Sequence, residues 1–411
     1  MLALRAAATQ PGFADPEFSR VPFHEWLSHG KHTQIRWEVD VAPPELSTHQ
    51  RMIVRVAVRV DGRDLQKRRG GGELVAMVQF EDADRRIWQN HASINLPDMN
   101  SGIRIPDKTV LQYAFVLPGD YTLSIALCDT ATLEHSVTVR RVHVAPLKND
   151  PLPDAWSGLP NVEFVSDRAD PPDVWYLPDV ETRLHLSRAP RRPVHIQILL
   201  NTTPTGKSSG SVSAMRRDMS VLIPALKTLT QVEIPNACID TALLDLIHRR
   251  VSFEQKDVHG LNWAAIRKLF VDTRPGIVDV QTLQGQWKMR TFFWNEVTSR
   301  LRADDRALNV VIVLSGPAFL EDQEPLEKVD LPNDPNRRLF YIRYRAVNNR
   351  PQRPRVHPGM RPQPIRPVVF PMPVDDLERT VEPLHARLFD ATSAEQFRRI
   401  LAAVLDQIAE N

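Results

Sequence analysis

Ten residues, Asn201-Thr-Thr-Pro-Thr-Gly-Lys-Ser-Ser-Gly210, gather hydroxyls, an amide and an amine into one short stretch, and three chemistries compete for them. As a phosphate loop, Thr205-Gly206-Lys207-Ser208 matches the second half of G-x-x-x-x-G-K-[ST], with Lys207 for phosphate and Ser208 for magnesium. Asn201 then stands where the first glycine belongs, and Pro204 removes an N–H from the cradle. As a nucleophile elbow, Gly206-Lys-Ser208-Ser-Gly210 matches G-x-S-x-G with Ser208 as nucleophile, and His385 comes late enough in the chain to be its base. The elbow needs a sharp strand-to-helix turn, whereas several residues separate Leu200 from Gly206, and no aspartate is singled out to orient His385. As an ion loop, the stretch has the spacing of D-x-S-x-S, in which a strand-end aspartate and two hydroxyls hold magnesium through hard oxygens. Asn201, Thr203 and Thr205 fill those places, which keeps the hydroxyls and exchanges the carboxylate for a neutral amide.

The flanking pattern predicts what positions this loop. Val194 to Leu200 is an apolar run suited to a strand covered on both faces, and Val212, Met215, Met219, Leu222, Leu226 and Leu229 follow at helical spacing. Further strands are expected at Ala242–Leu246, Val251–Phe253, Val310–Leu314 and Leu339–Arg343, and helices at Trp263–Phe270 and Phe292–Leu301. The last helix opens at Thr392-Ser393-Ala394-Glu395, with Thr392 or Ser393 as its cap. Strands alternating with helices imply a doubly wound parallel sheet, in which ligands bind beyond the carboxyl ends of the strands. The loop therefore stands where such a fold places a site.

The first third reads differently. Val54, Val56, Val58 and Val60 alternate with polar residues, as do Ile35 to Val41, Leu74 to Phe80, Leu111 to Phe115, Tyr121 to Leu127 and Val137 to Val144. Short alternating strands without helical patterns predict an antiparallel sandwich of immunoglobulin-like type, with Leu117-Pro-Gly-Asp-Tyr121 as a structural corner. The expected division is an N-terminal segment over 1–32, a β-sandwich over 33–146, a Pro-rich linker over 147–191 and an α/β domain over 192–411. Phe23, Trp26 and Leu27 are expected to pack onto the sandwich.

With 411 residues the chain exceeds the size at which single cores stop growing, which agrees with two domains. Lys and Arg outnumber acids by only 52 to 50, so no global polycation calls for nucleic acid. Cys128 and Cys238 are the only cysteines, which excludes a disulfide scaffold and a cysteine-ligated zinc site. No apolar run is long enough for a transmembrane helix, and Met1 to Ala8 lacks the apolar stretch of a signal peptide, so the expectation is a cytoplasmic protein or one whose leader starts before this sequence. In His24-Glu-Trp-Leu-Ser-His29 the histidines are five apart, so on a helix their rings diverge by about 140° and share no metal; His32 does not rescue the pattern. Trp287, Phe292, Phe293 and Trp294 lie among Lys288 and Arg290 and are read as helix anchors rather than base-stacking platforms. Residues 347–373 form a Pro-rich insertion in which Arg350, Arg353, Arg355, Arg361 and Arg366 are accompanied by no acid over 350–373. If Leu339–Arg343 is a parallel strand, this arm leaves the same edge as the loop and suits an acidic protein or glycan partner.

The order of sandwich, Pro-rich linker and α/β domain resembles the von Willebrand factor type A (VWFA)-related proteins of acidobacterial type. The residues that carry the resemblance are Val194-His-Ile-Gln-Ile-Leu-Leu200 entering the loop, Val310-Val-Ile-Val-Leu-Ser-Gly316 as core strand, and Leu388-Phe-Asp-Ala-Thr-Ser393 before the terminal helix. It covers roughly 192–411 and implies export together with a non-enzymatic adhesion or protein-interaction role. It also implies a metal-dependent adhesion site, in which the core strand ends in an aspartate before glycine. Here that slot is Ser315, and Asn201 replaces the other carboxylate, so the site is degenerate: the expectation is no cofactor, with magnesium held at most weakly by Thr203 and Thr205. The third-motif threonine would be Thr273 or Thr282. The expected recognition edge is Asn201, Thr203, Thr205 and Ser315 with Arg353, Arg355 and Arg361, and the alternatives remain a hydrolase at Ser208 and nucleotide binding through Lys207.

Overall fold

The computed structural model describes residues 14–29, 35–97, 105–165, 190, 192–203, 212–232, 234–272, 288–302, 307–320, 334–345 and 374–410, with backbone alone over 212–217 and 271–272. These residues fall into two compact units, one ending with the described residues at 165 and the other beginning at 190.

The first unit consists of two antiparallel sheets. One has the order β1-β3-β6-β9, with β2 also on β3; the strands are β1 (Trp37–Val41), β2 (Glu45–Leu46), β3 (Met52–Val60), β6 (Lys108–Val116) and β9 (Val162–Phe164). The other is β5-β4-β7-β8, built from β4 (Glu73–Asp82), β5 (Ile87–Asn95), β7 (Gly119–Asp129) and β8 (His135–Val144). Along β3 the even-numbered residues Val54, Val56, Val58 and Val60 are buried while Arg55 and Arg59 are exposed, as period two requires of a strand with one wet face. The sheets meet through Phe80 and Phe164, whose rings are 5.8 Å apart, and through Asn90 donating to Gln112. In β4 both faces are covered. Phe18, with Phe23 and Trp26 on α1 (Phe23–Ser28), packs on Val75 and Met77 and on Ala126, Cys128 and Val137, with Leu27 alongside. The expected docking of the N-terminal segment is thus present.

Three features depart from the sequence pattern. A short helix, α2 (Gly62–Lys67), follows β3, capped by Asp61 accepting from Arg63 N; at its start a Cβ on Gly62 would meet the Ile105 carbonyl oxygen at 2.0 Å, so only glycine fits. The strand β5 was not expected. The linker expected from 147 begins later, because Val162–Phe164 pairs with β6 and Arg51, buried against the Phe115 ring, forms an ion pair with Glu163. The corner is structural, as expected: Tyr121 donates to Leu117 O at 2.9 Å, and burial, with Asp82 nearby, pushes its hydroxyl pKa up to about 12.

The second unit carries one six-stranded sheet in the order β12-β11-β10-β13-β14-β15. Its strands are β10 (Val194–Asn201), β11 (Ala237–Asp245), β12 (Arg250–Gln255), β13 (Leu308–Ser315), β14 (Arg337–Tyr344) and β15 (Arg387–Ala391). All neighbours are parallel except β12, which returns antiparallel at the edge. Every residue of β13 is buried, the mark of a strand covered on both faces. The helices are α3 (Val212–Thr230), α4 (Trp263–Asp272), α5 (Met289–Leu301), α6 (Asp376–Val381) and α7 (Ala394–Ala409). Helices α5 and α6 share a core with Leu199, Leu244, Val311, Val313, Leu339 and Tyr341, so they lie on one face. On the other face α7 stacks Phe397 on Tyr344 at 5.1 Å. The cap of α7 is Ser393, which accepts from Gln396 N, while Gln396 Oε1 accepts from Thr392 N; the capping box therefore uses Gln396. No helix among the described residues is long and apolar enough to cross a membrane.

Candidate functional site

In sequence order the strands of this sheet read 3-2-1-4-5-6, so the chain reverses direction between its first and fourth strands, β10 and β13. Helix connections leave to opposite sides there, and the crevice they open at the carboxyl ends is where doubly wound sheets bind ligands. Asn201 ends β10 and Ser315 ends β13, which puts both at that reversal. Their side chains meet: Asn201 Nδ2 donates to Ser315 Oγ at 2.9 Å, and both residues are essentially inaccessible, 1% and 0% exposed.

The remaining polar atoms are engaged as well. Asn201 Oδ1 accepts from Thr203 N at 3.0 Å, and Ser315 Oγ donates to Gly316 O at 2.6 Å. Thr203 Oγ1 accepts from Leu246 N at 2.8 Å, while Thr202 Oγ1 donates to Leu244 O. The loop thereby latches its first turn onto the end of β11. A magnesium site needs several oxygens aimed at one point, at least one carrying charge. Here the two strand-end side chains address each other, and a carboxylate reaches their neighbourhood from another element.

That carboxylate is Asp375, which the sequence pattern did not single out. Tyr341 on β14, next to the Ser315 side chain, donates its hydroxyl to Asp375 Oδ2 at 2.9 Å. Asp375 caps α6, accepting from Glu378 N at 2.7 Å, and also accepts from Ala318 N at 3.3 Å. Arg343 lies beyond it: its guanidinium holds Glu378 at 2.6 Å and both oxygens of Asp390 at 2.6 and 2.8 Å, with Asp375 at 4.0 Å. Burial pushes the Asp375 carboxyl above its ordinary value, against the opposing pull of the Glu378 N–H, the Tyr341 hydroxyl and Arg343. Burial and Asp375 together push the Tyr341 hydroxyl well up, so it stays protonated and donates. Two polar groups thus line the carboxyl edge side by side, Asn201 with Ser315 and Tyr341 with Asp375, Arg343, Glu378 and Asp390. The signal that could have found Asp375 is its capping box, Asp375-x-x-Glu378 before Val381.

Of the residues expected at the site, Asn201, Thr203 and Ser315 come together. Thr205, Gly206, Lys207, Ser208 and Gly210 lie outside the described residues, as do Thr273, Thr282, Trp287, His32 and the arm with Arg350, Arg353, Arg355, Arg361 and Arg366. The strand before the arm, β14, is parallel to β13 and through it to β10, so its last residue, Tyr344, stands at the carboxyl edge. His385 sits in a left-handed turn ahead of β15, whose first residue pairs with mid-strand Phe340, whereas Asn201 leaves the carboxyl end of β10. His29 is bonded to Glu25 O within α1, and no His24–His29 metal cluster occurs among the described residues. Phe293 and Trp294 are buried helix anchors.

No family model matches the chain, and no curated protein does. Among solved structures, a glycosyl hydrolase family 2 (GH2) member from Bacteroides cellulosilyticus DSM 14838 matches at 7% identity with a TM-score of 0.19. The match takes in 28% of this chain and 15% of that chain, and a likeness of that size carries no argument about fold or activity.

Proposed function

We propose that the protein is a non-enzymatic interaction protein, an immunoglobulin-like sandwich joined to a VWFA-like domain, which recognises its partner at the carboxyl edge of the parallel sheet without a metal. The observation that carries this reading is the buried hydrogen bond between Asn201 and Ser315 at the strand reversal. A metal-dependent adhesion site would set a carboxylate at each of these positions, and two carboxylates there would repel unless a cation lay between them. An amide and a hydroxyl instead bond to each other, and the edge holds its shape without an ion. The sheet order and the antiparallel edge strand β12 support the domain reading. With the arm following the strand that ends at this edge, its arginines suit an acidic protein or glycan, and export is the location that accords with such a role. The test is capture of acidic proteins and sulfated or sialylated glycans on immobilised full-length chain. Binding should survive EDTA and fall about tenfold or more when Arg353, Arg355 and Arg361 are together replaced by Ala. Covalent labelling by a serine-reactive phosphonate that disappears in Ser208→Ala would replace this reading by a hydrolase.

A further inference from the structure

At the opposite, amino-terminal end of the same sheet three side chains of different chemistry converge. His195 on β10 and Cys238 on β11 are register partners in the parallel pair, and Asp240 lies two residues further along β11 on the same face. His195 Nε2 is 2.9 Å from Asp240 Oδ2, Cys238 Sγ is 3.8 Å from Asp240 Oδ1, and one ligand atom from each residue falls within 4.8 Å of the other two. The turn after β12 adds Asp257, whose backbone N–H donates to Asp240 Oδ1 and whose Oδ1 is 3.8 Å from Cys238 Sγ. His259 follows, 3.6 Å from Asp257.

We propose that His195, Cys238 and Asp240 bind a zinc ion, with Asp257 or a water as fourth ligand. Tetrahedral zinc with bonds of about 2.0–2.3 Å separates its donors by about 3.3–3.7 Å; His195 lies 2.9 Å from one Asp240 oxygen, Cys238 3.8 Å from the other, and the three ligand atoms lie within 4.8 Å of one another. Small rotations of three side chains therefore close the site. The donor set selects the ion: a thiolate and an imidazole favour zinc over magnesium or calcium, which want oxygen throughout. The charge balance points the same way. Two carboxylates and a thiol lie together, and among the described residues neither carboxylate has a Lys or Arg ion-pair partner. The side chains of His195 and Asp240 keep 23% and 11% exposure, which leaves an entry path for the ion. The expectation that two cysteines exclude a cysteine-ligated zinc site fails for this donor set, because one thiolate beside an imidazole and a carboxylate suffices. Bound there, the ion clamps two central strands to the turn after β12, about 20 Å along β10 from Asn201.

The experiment uses the full chain, stripped with a chelator and dialysed against zinc or cobalt(II). One zinc per chain is expected, with a raised melting temperature, and the cobalt form should show thiolate-to-cobalt charge-transfer absorption in the near ultraviolet. Cys238→Ser should abolish that band, and His195→Gln and Asp240→Asn should each weaken zinc binding at least about tenfold. A wild-type chain that emerges without zinc and without the band would overturn the proposal. So would a band retained in Cys238→Ser, since it would then belong to Cys128. Should Asp240→Asn fail to fold, His195→Gln, whose side chain is partly exposed, carries the same reading.

Discussion

Replacing Arg343 by Ala is expected to lower unfolding stability by about 3–5 kcal/mol, the range for removing one partner of a buried ion pair. The guanidinium is 6% exposed and faces Glu378 and Asp390 within hydrogen-bonding distance and Asp375 at 4.0 Å. Without it, three carboxylates from β15 and α6 are left facing one another with no cation between them. Arg343→Lys keeps the charge but cannot span Asp390 bidentately, so its loss should be intermediate. Urea unfolding separates these cases. The midpoint should fall in the order wild type, Lys, Ala with an unchanged denaturant slope, and an Ala midpoint equal to wild type would mean the network contributes nothing.

The second large effect is expected at the candidate site itself. Asn201→Leu removes the acceptor of the Thr203 N–H and the donor to Ser315 in a place closed to water, and each buried polar group left unpaired costs about 1–3 kcal/mol. A total of about 2–4 kcal/mol is expected. Asn201→Asp, compared at acid pH where the buried carboxyl is protonated, should cost less, because it still accepts from Thr203 N and its own hydroxyl replaces the amide as donor to Ser315. Thermal unfolding of the two variants side by side checks the order. A Leu variant more stable than the Asp variant would show that the amide's hydrogen bonds do not hold this edge.

The parallel sheet was legible because its signals are local: a run such as Val310 to Leu314 announces a strand buried on both faces, and the stripe ending in Leu226 and Leu229 announces the helix after β10. Asn201 and Ser315 were legible for a related reason, since strand ends in a doubly wound sheet are marked by where the apolar run stops. Asp375 was not, because its importance comes from Tyr341 and Ala318, which precede it by tens of residues and reach it only through the fold. The cluster of His195, Cys238 and Asp240 was hidden in the same way. Nothing in either segment shows that β10 and β11 pair with His195 opposite Cys238, and a register one residue away would put the two on opposite faces. Strand β9 was missed because three residues among prolines and aspartates carry no periodicity. Helix α2 was missed because six residues are too few for a stripe, although Asp61 marks its cap.

The central claim is that the carboxyl edge stands without a cation, and melting of the zinc-saturated wild-type chain with and without added magnesium or calcium tests it most directly. A ligand present at 100 times its dissociation constant adds about 2.7 kcal/mol, several degrees for a domain of this size. No shift with magnesium or calcium is expected, because Asn201 and Ser315 already satisfy each other. A magnesium-dependent rise that vanishes in Asn201→Leu would contradict the account, since it would mean that Asn201 and its loop hold an ion after all.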